Sequence, residues 1–407
     1  MAIEHLELMP EPEETRLLTA VDPDAPGYPG VAYGVSDQEA RELRWPVGPM
    51  KEFLWPWGAV SFSIGTILLL ISWPWIQAYI APILPDSEWA YVNSGFREIQ
   101  SDGFFGEGVH VCIVDTGIDI NHIEFSGVDL VGFRDFYIEA NDDVRDVGSN
   151  FHGTQMAGLM LANKTYIGAA PEVSVSIAIA LGPDGSAGQI DSVASAIRWC
   201  WISQNVDIIS LSLGGDPDGS TGGFESETSV AVNEALDAGV FVVAAAGNNG
   251  IDSSVNDVST PANIERVIAV GATTRNGEVW RNSSIGSEQD PNTGELRQYP
   301  NQKPEITAPG VMIYSTVSTS IKPSYAYSSG TSDSTVLVSS ALAIILEIHG
   351  DELRGDNGGI DQKAMFLVKR ALANSSMNSG SSHDLKNGYG ELNVVGWSEN
   401  VAFELNQ

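Results

Sequence analysis

Cationic side chains are scarce in this chain. Lysine and arginine together number 20 against 53 aspartates and glutamates, a formal charge of −33 over 407 residues. That balance excludes nucleic acid as a partner, because phosphate contacts need cationic patches. Cysteine is scarcer still: Cys112 lies in an apolar strand and Cys200 between two tryptophans on a helical stretch. Both read as small buried hydrophobes, and two cysteines make no disulfide framework. The six histidines form no zinc-ligand cluster with them, and no internal repeat is apparent.

The acid is spread along the chain rather than massed in a tail, so it reads as a solvated surface. Such a surface keeps a protein soluble in high salt, where screening removes self-repulsion. A salt-adapted, halophilic source is the expectation; an acidic surface in ordinary cytosol is the alternative.

Charge also divides the chain. Residues 1–52 carry acids and prolines, as in Pro10-Glu11-Pro12-Glu13-Glu14, with few apolar residues at helical spacing. They read as a flexible acidic tail. Residues 53–83 hold an almost unbroken apolar run, long enough to cross a bilayer. Trp55 and Trp57 stand at one end, Trp73, Trp75 and Tyr79 at the other, as in an interfacial aromatic belt. Pro74 should kink or end the helix. Arg41, Arg44 and Lys51 precede the run and Asp86 and Glu88 follow it. The positive-inside rule then keeps the tail in the cytoplasm and puts residues 84–407 outside. A cleaved signal peptide, a buried core helix and a re-entrant hairpin broken at Pro74 are the competing readings.

From Ser87 onward strands and helices alternate. Strands are expected at 109–114, 128–133, 173–180, 206–213, 240–246, 267–271 and 305–308. Helices are expected at 187–204, 228–238, 362–373 and 394–404. Alternation of this kind implies an α/β fold: a doubly wound, mostly parallel sheet with helices on both faces.

Three polar stretches interrupt this pattern where chemistry needs them. Ser329-Gly330-Thr331-Ser332 runs into Val336–Leu346, apolar almost all round and so read as a buried helix. Ser332 then sits at a helix N-terminus, where unpaired N–H groups favour developing negative charge. Asp115-Thr116-Gly117 ends an apolar strand, and His152-Gly153-Thr154 opens a helical pattern. The order Asp115, His152, Ser332 is that of acid, base and nucleophile. With Ala246-Gly247-Asn248, these motifs make the chain resemble the subtilisin-like serine proteases from about Ser94 onward.

The resemblance implies a serine endopeptidase acting on polypeptide. Ser332 would be the nucleophile, His152 the general base and acid, and Asp115 its orienting partner. Asn248 would supply the side-chain donor of the oxyanion hole. Ser212-Leu213-Gly214 and Ala245-Ala246-Gly247 would flank the specificity pocket, taking substrate as an added strand. No cofactor is required for such chemistry. The family also implies a calcium ligand at Glu124, although the loop Ala162–Tyr166 is short for the usual site; the acids at 139–146 could offer oxygens elsewhere but read as a solvated loop. Asp333-Ser334-Thr335 departs from the family, which usually carries Met-Ala after the nucleophile. Phe151 and Gln155 depart too, standing where glycine and a second histidine are usual. The whole reads as a membrane-tethered, outward-facing endopeptidase; the alternative is a catalytically inactive subtilase-fold scaffold. Oligomeric state is open.

Overall fold

The computed structural model describes residues 57–80 and 85–407, apart from 139–142, 189–190, 216–225, 253–256, 292, 356–358 and 377–381. The expectation of an acidic tail, and part of the acidic loop, lie outside the described residues. The chain divides into two compact units, Met1–Pro82 and Ile83–Gln407.

Of the first unit, the 24-residue helix α1 (Trp57–Ile80) is described. Its large apolar side chains between Val60 and Trp73 are exposed: Phe62 to 77%, Leu70 to 67% and Ile71 to 65%. The helix does not end at Pro74, one of the two outcomes expected there, but continues to Ile80. Proline removes one N–H donor, and long apolar helices carry that loss when the turns on either side hold.

The second unit is built on a sheet of seven parallel strands: β1 (His110–Asp115), β2 (Asp129–Asp135), β3 (Ser174–Ile179), β4 (Ile208–Leu211), β5 (Phe241–Ala245), β6 (Ile268–Thr273) and β7 (Ile306–Pro309). Their order across the sheet is β2-β3-β1-β4-β5-β6-β7. Except for edge strand β2, the strands are buried almost throughout and lack polar alternation, as expected when helices cover both faces. From β1 the chain goes to β2 and β3 on one side, then returns to β4 on the other. The strand order therefore reverses beside β1, and the carboxyl ends there border a crevice.

Helices α2 (Glu88–Asn93), α3 (Phe96–Ser101), α4 (His152–Leu161), α5 (Ser192–Arg198), α6 (Glu227–Asp237), α7 (Thr331–Leu353), α8 (Gln362–Ser375) and α9 (Val394–Leu405) complete the unit. α7 is apolar and long enough to cross a bilayer, but 89% of its apolar window is buried, so it is a core helix. It packs along β4, β5, β6 and β7. Val336, Leu337, Leu342, Ile344 and Ile345 are fully buried; truncating Leu342 to alanine would cost roughly 2–5 kcal/mol. The hydroxyls on α7 are satisfied inside the core. Thr335 donates to the Thr331 carbonyl at 2.8 Å, Ser334 to Ala308 at 2.8 Å and Ser339 to the Ser210 hydroxyl at 2.9 Å.

Two features were not anticipated. Strands β8 (Val311–Thr316) and β9 (Tyr325–Ser329) pair antiparallel outside the main sheet. They carry the chain from β7 to the start of α7. And Cys112 and Cys200, read as separate buried hydrophobes, are joined in a disulfide with Cα atoms 5.9 Å apart. Both are fully buried, as expected. The bond ties β1 to the π-helical turn Trp199–Ser203 that follows α5. Spacing along the chain carried no trace of that juxtaposition.

Candidate active site

Asp115 is the last residue of β1, at the strand end where the sheet order reverses, and its side chain is fully buried. One oxygen accepts from the Thr116 N–H at 2.7 Å. His152 Nδ1 lies 2.8 and 2.9 Å from the two carboxylate oxygens. With the carboxylate accepting, Nδ1 carries the proton and Nε2 is left as the acceptor.

His152 opens α4, delivered by Phe151 in a left-handed conformation at φ 57°, ψ 43°. A glycine adopts that geometry without cost, whereas a β-carbon makes it dearer by roughly 1–2 kcal/mol. Gly153 follows because no side chain fits: a β-carbon there would lie 2.1 Å from the Gly117 carbonyl oxygen. Gly117 itself sits at φ 115°. The Asp-Thr-Gly and His-Gly-Thr motifs are thus two halves of one close backbone contact.

Asp146 locks that contact. One of its oxygens accepts from Thr116 Oγ1 at 2.7 Å and from Gly148 N at 2.8 Å. The other accepts from Thr154 N at 2.8 Å and Thr154 Oγ1 at 2.6 Å. Thr116 Oγ1 in turn accepts from Gly153 N at 2.9 Å. Read in sequence as one acid of a solvated loop, Asp146 is instead the tie between the end of β1 and the start of α4. Burial raises its pKa against the pull of these hydrogen bonds.

Ser332 lies in the first turn of α7, where N–H groups lack intrahelical partners. Its hydroxyl donates to the Ser212 carbonyl at 3.2 Å, and the Ser212 hydroxyl donates back to the Ser332 carbonyl at 3.2 Å. No hydrogen bond joins Ser332 Oγ to His152 in this arrangement. Asn248 follows β5; its Oδ1 accepts from Thr331 N at 3.0 Å and Thr331 Oγ1 at 3.1 Å. Only the oxygen of an amide can accept twice, so the Nδ2 end is the one left free. A β-carbon built on Gly330 would lie 3.6 Å from Asn248 Nδ2 and 3.6 Å from Ser332 N. The two donors therefore flank one position.

A cavity of about 810 Å³ opens beside His152; neither Ser332 nor Asn248 lines it. His152, Thr116 and Asn150 line it, together with Ser212, Leu213 and Gly214. Ala245, Ala246 and Gly247 do not line it. Ala245 and Ala246 are buried, and the Gly247 N–H donates to Thr331 Oγ1 at 3.2 Å, supporting the serine turn from beneath.

Burial would depress the His152 pKa, but the charge of Asp115 and its hydrogen bond, with Asp333 and Asp146 further off, raise it to about 9. Asp333, next to Ser332, is 1% exposed. Burial pushes it up to about 7, against the hydrogen bond from Ser328 and the charge of His152.

Comparison with known proteins settles the family. The model of the subtilase family matches residues 106–396. The chain belongs to the subtilase family. As a subtilase it is a serine-type endopeptidase. It is 37% identical to subtilisin DY of Bacillus licheniformis over 255 residues, 61% of this chain and 80% of that protein. It is 35% identical to subtilisin E of Bacillus subtilis (strain 168) over 254 residues, 62% of this chain and 58% of that protein. The major intracellular serine protease of the same organism is 33% identical over 255 residues, 61% of this chain and 71% of that protein.

Calcium is common in subtilases, and Glu124 is where this chain would offer a carboxylate. The groups around it do not suit a cation. Lys164 N, Thr165 N and Tyr325 OH donate to its two oxygens at 2.9, 3.0 and 2.7 Å. Although burial alone would raise the Glu124 pKa, these bonds hold it below the usual carboxylate range. A cation needs acceptors on all sides, and here donors of the shortened loop occupy the carboxylate. Among the described residues, no cluster of three or more His, Cys, Asp or Glu is arranged to hold a metal.

Proposed function

We propose that this subtilase hydrolyses internal peptide bonds of extended polypeptides through Asp115, His152 and Ser332, with Asn248 as oxyanion donor. The observation that carries the reading is the pairing of His152 Nδ1 with both Asp115 oxygens at 2.8 and 2.9 Å. That pairing leaves Nε2 basic and aimed away from the acid. Productive binding would turn the Ser332 hydroxyl from the Ser212 carbonyl to Nε2; such bonds commonly tighten only when substrate binds.

Substrate lies along Ser212–Gly214 as an added strand. Ser332 Oγ attacks the carbonyl carbon while its proton passes to His152 Nε2. The oxyanion forms between Asn248 Nδ2 and the Ser332 N–H, donors fixed beforehand by Thr331 and by the helix turn. Collapse expels the amine, which takes the proton from His152. Water then repeats the sequence on the acyl group, with His152 as base. A fluorophosphonate probe should label Ser332 in the folded protein and fail to label Ser332→Ala. Absence of labelling would leave the inactive scaffold.

The same reading places residues 53–83 in a membrane, with the N-terminus cytoplasmic and the peptidase outside. The exposed apolar surface of α1 supports it, and so do the cations before and acids after the run. The disulfide supports it too, since such bonds persist in oxidising surroundings. Intact cells treated with an external protease should lose the peptidase unit and keep a protected N-terminal fragment; full protection of the peptidase unit would sink the orientation. The acidic balance supports a salt-adapted source, in which case stability rises with molar salt; a flat or falling response removes that part.

A further inference from the structure

Asp333 is a buried acid with no cationic side chain of its own. Its side chain is 1% exposed, and among the described residues no lysine or arginine pairs with it. One oxygen accepts from the Ser328 hydroxyl on β9. The other, Oδ2, is 3.6 Å from the position of a β-carbon on Gly330, and Asn248 Nδ2 and Ser332 N stand at the same distance from that point. The carboxyl therefore borders the place where the oxyanion would form. It is also within electrostatic reach of His152, each altering the other's ionisation.

The surroundings give that charge little competition. Strands β4, β5, β6 and β7, which pack on α7, carry no charged side chain. From α4 the ionisable group is His152, with Asp115 of β1 and Asp146 behind it. From α2 it is Tyr91, buried and held protonated by that burial. From β8 and β9 the ionisable groups are Tyr314, Tyr325 and Tyr327. The final helix α9 meets the far end of α7, with His349 against Ser398 at 2.9 Å. His152 is thus the cation nearest to hand for Asp333.

Resting on the triad reading above, we propose that Asp333 is a positioning residue that restrains the peptidase by holding a proton on His152 and by opposing negative charge at the oxyanion site. When one proton is shared by the pair, it has two homes. On Asp333 it leaves His152 free to act as base; on His152 it makes an internal ion pair and blocks attack by Ser332. When neither is protonated, His152 can act, but the carboxylate then repels the oxyanion. A carboxylate beyond hydrogen-bond reach of the oxyanion, at an effective dielectric near 20, slows such a step by about tenfold or more. The ionisation directions agree: Asp333 lies up at about 7 and His152 up at about 9.

The test is the pH profile of kcat/KM for the full chain and for Asp333→Asn, which keeps an acceptor for Ser328 and removes the charge. The acid limb should move to lower pH by about one unit or more, and the alkaline plateau should rise by about tenfold or more. Asp333→Ala should move the limb the same way. Independently of activity, the His152 imidazole followed by NMR in a Ser332→Ala background should titrate at lower pH once Asp333→Asn is added. Superimposable profiles with an unmoved imidazole, or a limb displaced to higher pH, would overturn the proposal. Failure of the parent to turn over substrate or take the fluorophosphonate probe at any pH would overturn the triad reading instead, and the imidazole titration would still decide the role of Asp333.

Discussion

Two buried lysines, Lys303 and Lys369, share the Glu305 carboxylate, and that arrangement should make stability rise with pH above neutrality. Lys303 Nζ donates to the carbonyls of Val267 at 2.6 Å and Glu265 at 3.3 Å, and to Glu305 at 2.7 Å. Lys369 Nζ donates to the same three groups at 3.1, 3.0 and 2.7 Å. All three side chains are 5% exposed or less. Burial lowers the Lys303 pKa from 10.5 to about 7, outweighing the attraction of Glu305 and reinforced by the like charge of Lys369. Between about 7 and 10.5 the unfolded chain binds a proton that the native chain does not. Stability therefore increases with pH across that window. At 1.36 kcal/mol per pH unit the full gain is about 5 kcal/mol. For a unit the size of Ile83–Gln407 that is a rise in Tm of about 7 °C. Calorimetric melts in a Ser332→Ala background, which prevents self-digestion, should show it. Lys303→Met should be more stable than its parent at pH 7 by up to about 5 kcal/mol and should converge with it near pH 10.5. Curves that run parallel across the window, with Lys303→Met less stable throughout, would mean that both lysines stay charged in the fold and the reasoning is wrong.

Asn248→Ala should lower kcat by about 10²–10³ while KM changes little, since the amide meets charge only in the transition state; a loss confined to KM would refute it. Replacing both Cys112 and Cys200 with serine opens a crosslink spanning 88 residues. The denatured chain gains enough freedom to cost about 4–5 kcal/mol, read as a lower midpoint in urea; an unchanged midpoint counts against a formed disulfide. Chelation by EDTA should leave Tm unmoved, because Glu124 is occupied by N–H and O–H donors; a fall reversed by added calcium would contradict that.

Much of the fold was legible because buried strands and helices announce themselves by composition over several residues. Each of the seven sheet strands falls within about two residues of its expected place. The β8–β9 pair was not seen, because Val311–Thr316 and Tyr325–Ser329 lack a sustained apolar run or a clean alternation. The helix expected at 187–204 is shorter: α5 begins at Ser192 and gives way to a π-helical turn from Trp199. A two-residue disulfide was equally invisible, since apolar neighbours tell how deep a cysteine sits and nothing of what it faces.

The site divides along the same line. Asp115, His152 and Ser332 stood out because their neighbours are forced: Gly117 by its positive φ, Gly153 by the Gly117 carbonyl 2.1 Å from where a β-carbon would be. A backbone contact that tight admits few residue types, and so it leaves a motif. Asp146 has a comparable share in holding β1 against α4, yet it works through side-chain acceptors that any acid on a suitably placed loop can provide. Nothing in its neighbours along the chain records that demand. Asp333 is the converse case. Its position beside Ser332 is plain from the sequence, but its consequence depends on burial and on the absence of a cation from β4 through β7. A carboxylate in water at that point would be a helix-dipole partner of small effect; the same group sealed behind Ser328 acts on the imidazole.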